Sequence, residues 1–150
     1  MEIERKYLIK DINTLPIDLN DYPHREIEQA YLNTDPVIRI RRQDNDYYLT
    51  YKSKGLIARE EYNLPLNTES YIHLIQKADG NILTKTRYEI PFGNHLIIEL
   101  DIFHGKFEGL ILAEVEFSTL EEANAFIPPE YFGEDVTFST EYHNSTLSKK

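Results

Sequence analysis

Side chains of like charge recur two residues apart along this chain, which is the spacing of one face of a β-strand. Neighbours on such a face lie about 7 Å apart, so each like-charged pair repels by about 2 kcal/mol at an effective dielectric constant near 20. Solvent offsets this repulsion on an open face, and ligands of opposite charge offset it in an enclosed one. The pairs are Glu2/Glu4, Arg39/Arg41, Lys52/Lys54, Lys85/Arg87, Glu99/Asp101 and Glu114/Glu116.

The two kinds of pair suit two kinds of ligand. Clustered carboxylates without cysteine prefer hard cations such as Mg²⁺ or Mn²⁺, whereas arginine and lysine bind phosphate oxygens, arginine as a fork. A site that holds both sets would bind a metal–polyphosphate complex. Six acidic and six basic candidates would leave its interior nearly neutral: Glu2, Glu4, Glu61, Asp101, Glu114 and Glu116 with Lys6, Arg39, Arg41, Lys52, Lys85 and Arg87.

Length and composition limit the classes of protein that remain. The 150 residues suit a single domain over 1–150, and 41% hydrophobic with 28% charged residues indicates a folded chain. The net charge of −10 argues against a general nucleic-acid partner, since such proteins are normally basic. With no cysteine there is no disulfide or thiolate site, and no P-loop motif is present.

The chain has no apolar stretch of about 18 residues, which predicts that it does not span a membrane. Its N-terminus, Met1-Glu2-Ile3-Glu4-Arg5-Lys6, lacks the apolar region of a signal peptide. We therefore expect a cytoplasmic protein.

Period-two alternation predicts eight strands, over 2–9, 25–32, 37–43, 46–53, 57–64, 82–90, 95–103 and 110–118. Helices are expected over 68–78, capped by Thr68, and over 118–126, where Ser118 and Glu121 resemble a capping box. Residues 11–24 fit either a loop or a short helix. The pattern favours an α+β domain built as an antiparallel barrel with few flanking helices.

The sequence blocks resemble those of the CYTH superfamily, the triphosphate tunnel metalloenzymes. The opening Glu2-x-Glu4-x-Lys6 is similar to the family signature, and the later blocks follow in family order over residues 2–117. The stretch 104–117, HGKFEGLILAEVEF, is particularly similar. The later blocks are Arg39-Ile40-Arg41, Lys52, Arg59-Glu60-Glu61, Lys85-Thr86-Arg87, Glu99 to Phe103, and Glu114-Val115-Glu116.

This resemblance implies an eight-stranded antiparallel β-barrel with a charged tunnel along its axis. It implies that Glu61 orients or deprotonates the attacking water and that Tyr31 is a candidate proton acceptor. The other implied residues fall into two groups: a divalent metal held by Glu2, Glu4, Glu114 and Glu116 with Asp101 nearby, and a triphosphate held by Lys6, Arg39, Arg41, Lys52, Lys85 and Arg87. One departure concerns Glu141, because members often carry a basic residue before the Tyr-x-Asn block that follows it here.

Several charged or aromatic residues have simpler interpretations. Lys54 and Arg59 flank Gly55 in a predicted hairpin and could face solvent, while Glu99 is expected to pair with a nearby cation. The five histidines have no ligand spacing. Five tyrosines are expected to pack: Tyr47, Tyr48, Tyr51, Tyr62 and Tyr88. The sequence does not decide between a monomer and a homodimer, because the apolar face of strand 95–103 needs cover from helices or from a second copy.

The function that these residues favour is metal-dependent hydrolysis of a triphosphate, above all inorganic tripolyphosphate, with nucleoside triphosphates as weaker substrates. Mg²⁺ or Mn²⁺ is the expected cofactor, and the small-molecule triphosphate is the expected partner. Three alternatives stay open: an adenylate cyclase of the class IV type, a thiamine triphosphatase, and a polyphosphate- or nucleotide-binding module that does not cleave.

Overall fold

Nine strands form one antiparallel sheet in a computed structural model that describes residues 1–150. The order across the sheet is β5-β1-β9-β8-β7-β2-β3-β4-β6. The strands are β1 (Glu2–Leu8), β2 (His24–Thr34), β3 (Val37–Gln43), β4 (Asp46–Lys52), β5 (Ala58–Arg59), β6 (Glu61–Leu66), β7 (Leu83–Phe92), β8 (Leu96–Phe103) and β9 (Ile111–Glu116).

The two edges of the sheet are adjacent in sequence. β5 pairs with β1 at one edge and β6 pairs with β4 at the other, yet only Glu60 separates them. The sheet must therefore curve round until its edges approach each other, although no ladder joins β5 to β6. Two hydrogen bonds to Ser53 fix Glu60, the residue between β5 and β6. Ser53 N donates to Glu60 O at 3.0 Å, and Glu60 N donates to Ser53 Oγ at 2.9 Å.

The prediction of a mostly antiparallel sheet with few helices is confirmed, but the predicted count of eight strands differs from the nine observed. The extra strand arises because the predicted strand 57–64 changes partner at Glu60 and is divided into β5 and β6. A local alternation pattern cannot show such a change, since both halves keep the same period.

Three short α-helices flank the sheet: α1 (Thr68–Ile75), α2 (Leu120–Ala125) and α3 (Asn144–Leu147). The first two match predicted helices, but their N-caps are Asn67 and Thr119, whose side chains accept from Ser70 N and Glu122 N. Residues 11–24 contain two single-turn 3-10 helices instead of one short helix. Helix α3 was not predicted. None of these helices has the length and apolar character needed to cross a membrane.

The largest hydrophobic cluster lies on the outer face of the sheet. Ile98 and Leu100 of β8 are fully buried there, beneath the segment that contains Leu15, Ile17 and Leu19. The apolar face of β8 is thus covered within one chain.

The inner face of the sheet is apolar at one end of the strands and charged along the rest. β7 continues from Leu83 to Lys85, and β9 continues from Leu112 to Glu114, each pair on one face. The apolar residues Leu83 and Leu112 pack with Leu147 in a second buried cluster, so the C-terminal segment fills that end of the sheet. The rest of the inner face is charged and forms the candidate site.

Candidate active site

A cavity of about 340 Å³ lies against the charged inner face of the curved sheet. Of its 21 lining residues only three are hydrophobic, so it suits a ligand that is polar over its whole surface. The charged lining residues are the cations Lys6, Arg39, Arg41, Lys52, Arg59, Lys85 and Arg87 and the carboxylates Glu2, Glu4, Glu61, Glu99, Glu114 and Glu116.

All but one of the predicted site residues line this cavity. The six predicted phosphate-binding cations are each buried. Glu2, Glu4, Glu114 and Glu116 line the same space, as do Glu61 and Tyr31. Asp101, predicted to lie near the metal, is the exception, because it sits behind the wall and is fully buried.

Asp101 is bonded to two cations of the wall. Arg87 Nε and Nη2 donate to its two carboxylate oxygens at 2.7 and 2.9 Å, and Lys85 Nζ lies 2.8 Å from Oδ2. Burial opposes ionisation, but Arg87 and Lys85 lower the pKa of Asp101 below its ordinary value. Its oxygens are therefore engaged by protein cations, and the geometry supports a positioning role in place of the predicted metal contact.

Glu99 also pairs with Arg87, its Oε2 lying 3.0 Å from Nη1, as the sequence had suggested. On the neighbouring strands Lys6 Nζ lies 3.6 Å from Glu114 Oε1. Burial raises the pKa of Glu114, yet Lys6 and Arg87 together hold it well below its ordinary value. The charge of this carboxylate is thus compensated by cations on the neighbouring strands.

Lys52 joins the two edges of the sheet. Its Nζ lies 3.1 Å from Glu2 Oε1 on β1 and 3.3 Å from Glu61 Oε2 on β6. Burial and the charge of Glu4 raise the pKa of Glu2 to about 8. Burial has the same tendency at Glu61, but hydrogen bonding to Glu2 and the charge of Lys52 lower the pKa of Glu61 to about 2. Burial and neighbouring charge thus raise the pKa of Glu2, while its neighbours lower that of Glu61, so of the two Glu61 is the carboxylate whose ionised form the site favours.

Arg39 and Arg41, both on β3, have no carboxylate within ion-pairing distance. Arg39 Nη2 donates to Thr50 Oγ1 at 3.1 Å, while its buried Nε has no hydrogen-bond partner. Arg41 is bound only to the side-chain oxygen of Gln29. Burial, with the charges of Arg39 and Arg87, lowers the pKa of Arg41 to about 9. Because these cations have no anionic partner within the protein, an anion bound beside them would be stabilised.

Glu4 and Glu116 are carboxylates without a cation within ion-pairing distance, the reverse of Arg39 and Arg41. They are direct partners in the antiparallel pair β1/β9, and the ion pairs of the cavity include neither of them. Burial and Glu114 raise the pKa of Glu4, while burial and Glu61 raise that of Glu116. Like charges directly opposite each other are unfavourable, although solvent offsets part of the repulsion here because Glu116 is exposed.

These oxygen donors fit a hard divalent cation in type. No group of three or more acidic or histidine side chains is already gathered as a metal site. The fit therefore rests on the donor chemistry of Glu4 and Glu116 and on the lack of a protein cation within ion-pairing distance of either.

Sequence reasoning missed several polar residues that support the charged ones. Asn63 Nδ2 donates to Glu61 Oε1 at 2.8 Å, and Thr50 Oγ1 donates to Asn63 Oδ1 at 2.5 Å. Arg59, expected to face solvent, lines the cavity with its Nε 3.7 Å from Glu2 Oε1. Strand alternation places Thr50 and Asn63 on the charged face, so this signal could have identified them.

Comparison with known proteins agrees with the site. A family model described as the CYTH domain matches residues 1–149. The chain belongs to the CYTH domain family. The resemblance noted in the sequence is thereby confirmed.

Two relatives of this CYTH protein are similar over most of their length. An inorganic triphosphatase of Nitrosomonas europaea is 38% identical over 151 residues, which cover 98% of this chain and 96% of the relative. An inorganic triphosphatase of Acetivibrio thermocellus is 33% identical over 122 residues, covering 79% of this chain and 76% of the relative. A crystal structure of an inorganic triphosphatase superposes with a TM-score of 0.73 at 35% identity, covering 100% of this chain and 95% of that one.

Proposed function

We propose that this CYTH protein hydrolyses triphosphates in a reaction that depends on Mg²⁺ or Mn²⁺. Inorganic tripolyphosphate is the proposed main substrate, cleaved to pyrophosphate and phosphate, and nucleoside triphosphates are weaker substrates. The names of the two relatives support this proposal. We further propose that the curved sheet acts as a tunnel around the substrate, supported by the approach of its edges at Glu60 and by Lys52 bridging Glu2 and Glu61.

One observation carries the proposal: the cavity holds two arginines without an anion and two glutamates without a cation. Arg39 and Arg41 suit the oxygens of a polyphosphate, and Glu4 and Glu116 suit a divalent cation. A complex of metal and triphosphate would satisfy both sets together. The scarcity of hydrophobic lining residues favours an inorganic triphosphate over one with a purine or thiamine group.

In this proposal the protein's cations bind the substrate and neutralise charge. Arg39 and Arg41 hold phosphate groups, while Lys52 and Lys85 lie where they can offset charge that develops during transfer. Glu4 and Glu116, with Glu2 and Glu114 beside them, would hold the Mg²⁺ or Mn²⁺, which when bound supplies Lewis-acid polarisation of phosphate oxygens.

Glu61 is proposed to orient the attacking water. A carboxylate whose pKa is about 2 is a weak base at neutral pH, so orientation through a hydrogen bond suits it better than proton abstraction. Asn63 donates a hydrogen bond to one carboxylate oxygen of Glu61, which fixes the direction in which the other oxygen points. Tyr31 lines the cavity and accepts a hydrogen bond from Gln29 Nε2 at 3.2 Å, and it remains the proposed proton acceptor.

A substrate panel tests the proposal. The protein is incubated with tripolyphosphate, ATP or thiamine triphosphate, each with Mg²⁺, with Mn²⁺ or with EDTA, and the products are separated. We expect pyrophosphate and phosphate from tripolyphosphate with either metal, slower release from ATP, and no turnover in EDTA. Cyclic AMP as the main product from ATP would indicate a cyclase, and tight binding without turnover would indicate a binding module.

A further inference from the structure

A buried pair of amide side chains, Gln29 and Asn144, connects two cations of the cavity. Arg41 Nε and Nη2 both donate to Gln29 Oε1, at 2.9 and 2.7 Å. Gln29 Nε2 donates to Asn144 Oδ1 at 2.9 Å, and Lys85 Nζ donates to the same oxygen at 2.9 Å. Gln29 is fully buried and Asn144 is 8% exposed.

The chemistry of the two cations fixes the direction of this chain of hydrogen bonds. Arginine and lysine can only donate, so the side-chain oxygen of each amide must face its cation. The amide nitrogen of Gln29 then has to point towards Asn144. Turning either amide over would place an N–H₂ group against a cation, so only one arrangement satisfies every partner.

This arrangement leaves one donor of Asn144 unused. Its Oδ1 accepts two hydrogen bonds, whereas its Nδ2 donates none within the protein, although the residue lines the cavity. The buried side-chain atoms without a hydrogen-bond partner do not include Asn144 Nδ2, so this donor is open to the cavity, where a ligand oxygen can accept from it.

We propose that Asn144 is a substrate-binding residue whose Nδ2 donates to a phosphate oxygen of the triphosphate, and that Gln29 is the positioning residue that holds it. This inference rests on the proposed function, since it assumes a phosphate ligand in the cavity. It gives the C-terminal segment a direct part in binding, beyond filling one end of the sheet.

The position of Asn144 is itself well anchored. It begins α3, and Leu147, one turn later, is buried in the cluster with Leu83 and Leu112. Ser148 O accepts from Asn81 N at 2.6 Å, which ties the end of the chain to the segment before β7. A packed side chain and a backbone hydrogen bond thus hold the donor in place.

The variant Asn144→Asp tests the donor with little change of shape. It keeps an oxygen for Gln29 and Lys85 but replaces the N–H₂ group by an oxygen that repels phosphate. We expect KM for tripolyphosphate to rise at least tenfold, kcat to change less than threefold, and the melting temperature to stay within a few degrees. Thr146→Asp adds the same charge to α3 at a residue that does not line the cavity, and its KM should stay within twofold of wild type.

A second variant, Asn144→Ala, removes the donor without adding charge and should raise KM at least threefold. Gln29→Glu tests the positioning role, because it keeps an oxygen for Arg41 but loses the donor to Asn144. Its KM should rise at least fivefold with a smaller change in kcat. Values of KM within twofold of wild type for Asn144→Asp and Asn144→Ala, or an equal rise for Thr146→Asp, would overturn the inference.

Calorimetric titration with tripolyphosphate in EDTA separates this inference from the proposed function. Wild type should bind, and Asn144→Asp should bind at least tenfold more weakly, whether or not the protein cleaves the ligand. Wild-type binding in EDTA together with no hydrolysis in the Mg²⁺ and Mn²⁺ arms of the substrate panel would overturn the proposed function alone. Equal binding by wild type and Asn144→Asp would overturn the role of Asn144 alone. No binding by wild type in EDTA, together with no hydrolysis with either metal, would overturn both.

Discussion

Arg87 and Asp101 form a bidentate ion pair inside the wall of the cavity, with Nε 2.7 Å from Oδ1 and Nη2 2.9 Å from Oδ2. Lys85 completes the group at 2.8 Å from Oδ2. Asp101 therefore holds two cations in place, and one of them is also bound by Asn144.

This arrangement predicts that Asp101→Asn is strongly destabilising. Removing one member of a buried ion pair leaves the other charges uncompensated, which costs about 3–5 kcal/mol in free energy of unfolding. Urea denaturation measures the loss. Wild-type stability together with a raised metal requirement would instead restore Asp101 as a metal ligand.

Glu116→Gln should remove metal-dependent turnover while leaving the fold intact. Replacing one of two facing carboxylates relieves their repulsion, so stability should be unchanged or higher, whereas kcat should fall at least 100-fold at saturating Mg²⁺. Phosphate release and thermal melting are measured on the same preparation. Glu121→Gln, an exposed change on α2, is the matched control, and an Mg²⁺ response like that of wild type would refute the assignment of Glu116.

Arg39→Ala should weaken substrate binding more than it slows turnover. The guanidinium has no carboxylate partner, so its loss should raise KM for tripolyphosphate at least tenfold without lowering stability. Arg39→Lys should recover part of the affinity, because lysine keeps the charge but loses the fork. Arg42→Ala, next along β3 and exposed, serves as control; unchanged KM and kcat in Arg39→Ala would remove this residue from the site.

Glu61→Gln should lower kcat by about 10²- to 10⁴-fold with a small change in KM, the range for loss of a positioned group that handles the nucleophile's proton or hydrogen bond. Single-turnover kinetics with tripolyphosphate measure the step directly, with Glu60→Gln as control. Because the pKa of Glu61 is about 2, its titration should give no inflection in the wild-type rate between pH 5 and 8. A variant that turns over at the wild-type rate would exclude Glu61.

His143 should make the fold sensitive to acid. Burial, with the charges of Lys6 and Arg59, lowers the pKa of His143 to about 4, against an ordinary 6.5. The unfolded chain then binds the proton more readily than the folded one, so this group's contribution to stability falls as pH drops from about 6.5 to 4. His143→Gln should reduce the slope of the urea midpoint against pH in that window; identical slopes would contradict the prediction.

The strands and most charged residues of the cavity could be read from the sequence because alternation fixes which side chains share a face. Asp101 was harder, since its partner Arg87 lies on the neighbouring strand and register is not visible in one sequence. The same limit applies to Glu60, where one extended segment changes from β1 to β4. The Tyr-x-Asn block contains Asn144, but its role, like that of Gln29, was missed because a polar amide gives no sign of its partners until the fold places them around it.

The first strand of this chain forms its longer ladder with a strand far along the sequence. β1 pairs with β9, and Lys6 O accepts from Val136 N at 2.9 Å. During synthesis the N-terminal strand therefore has no partner for its longer ladder until residues 111–116 have been made. Its backbone stays unpaired on that side until then, so chaperones that cover exposed strands should raise the yield of folded protein.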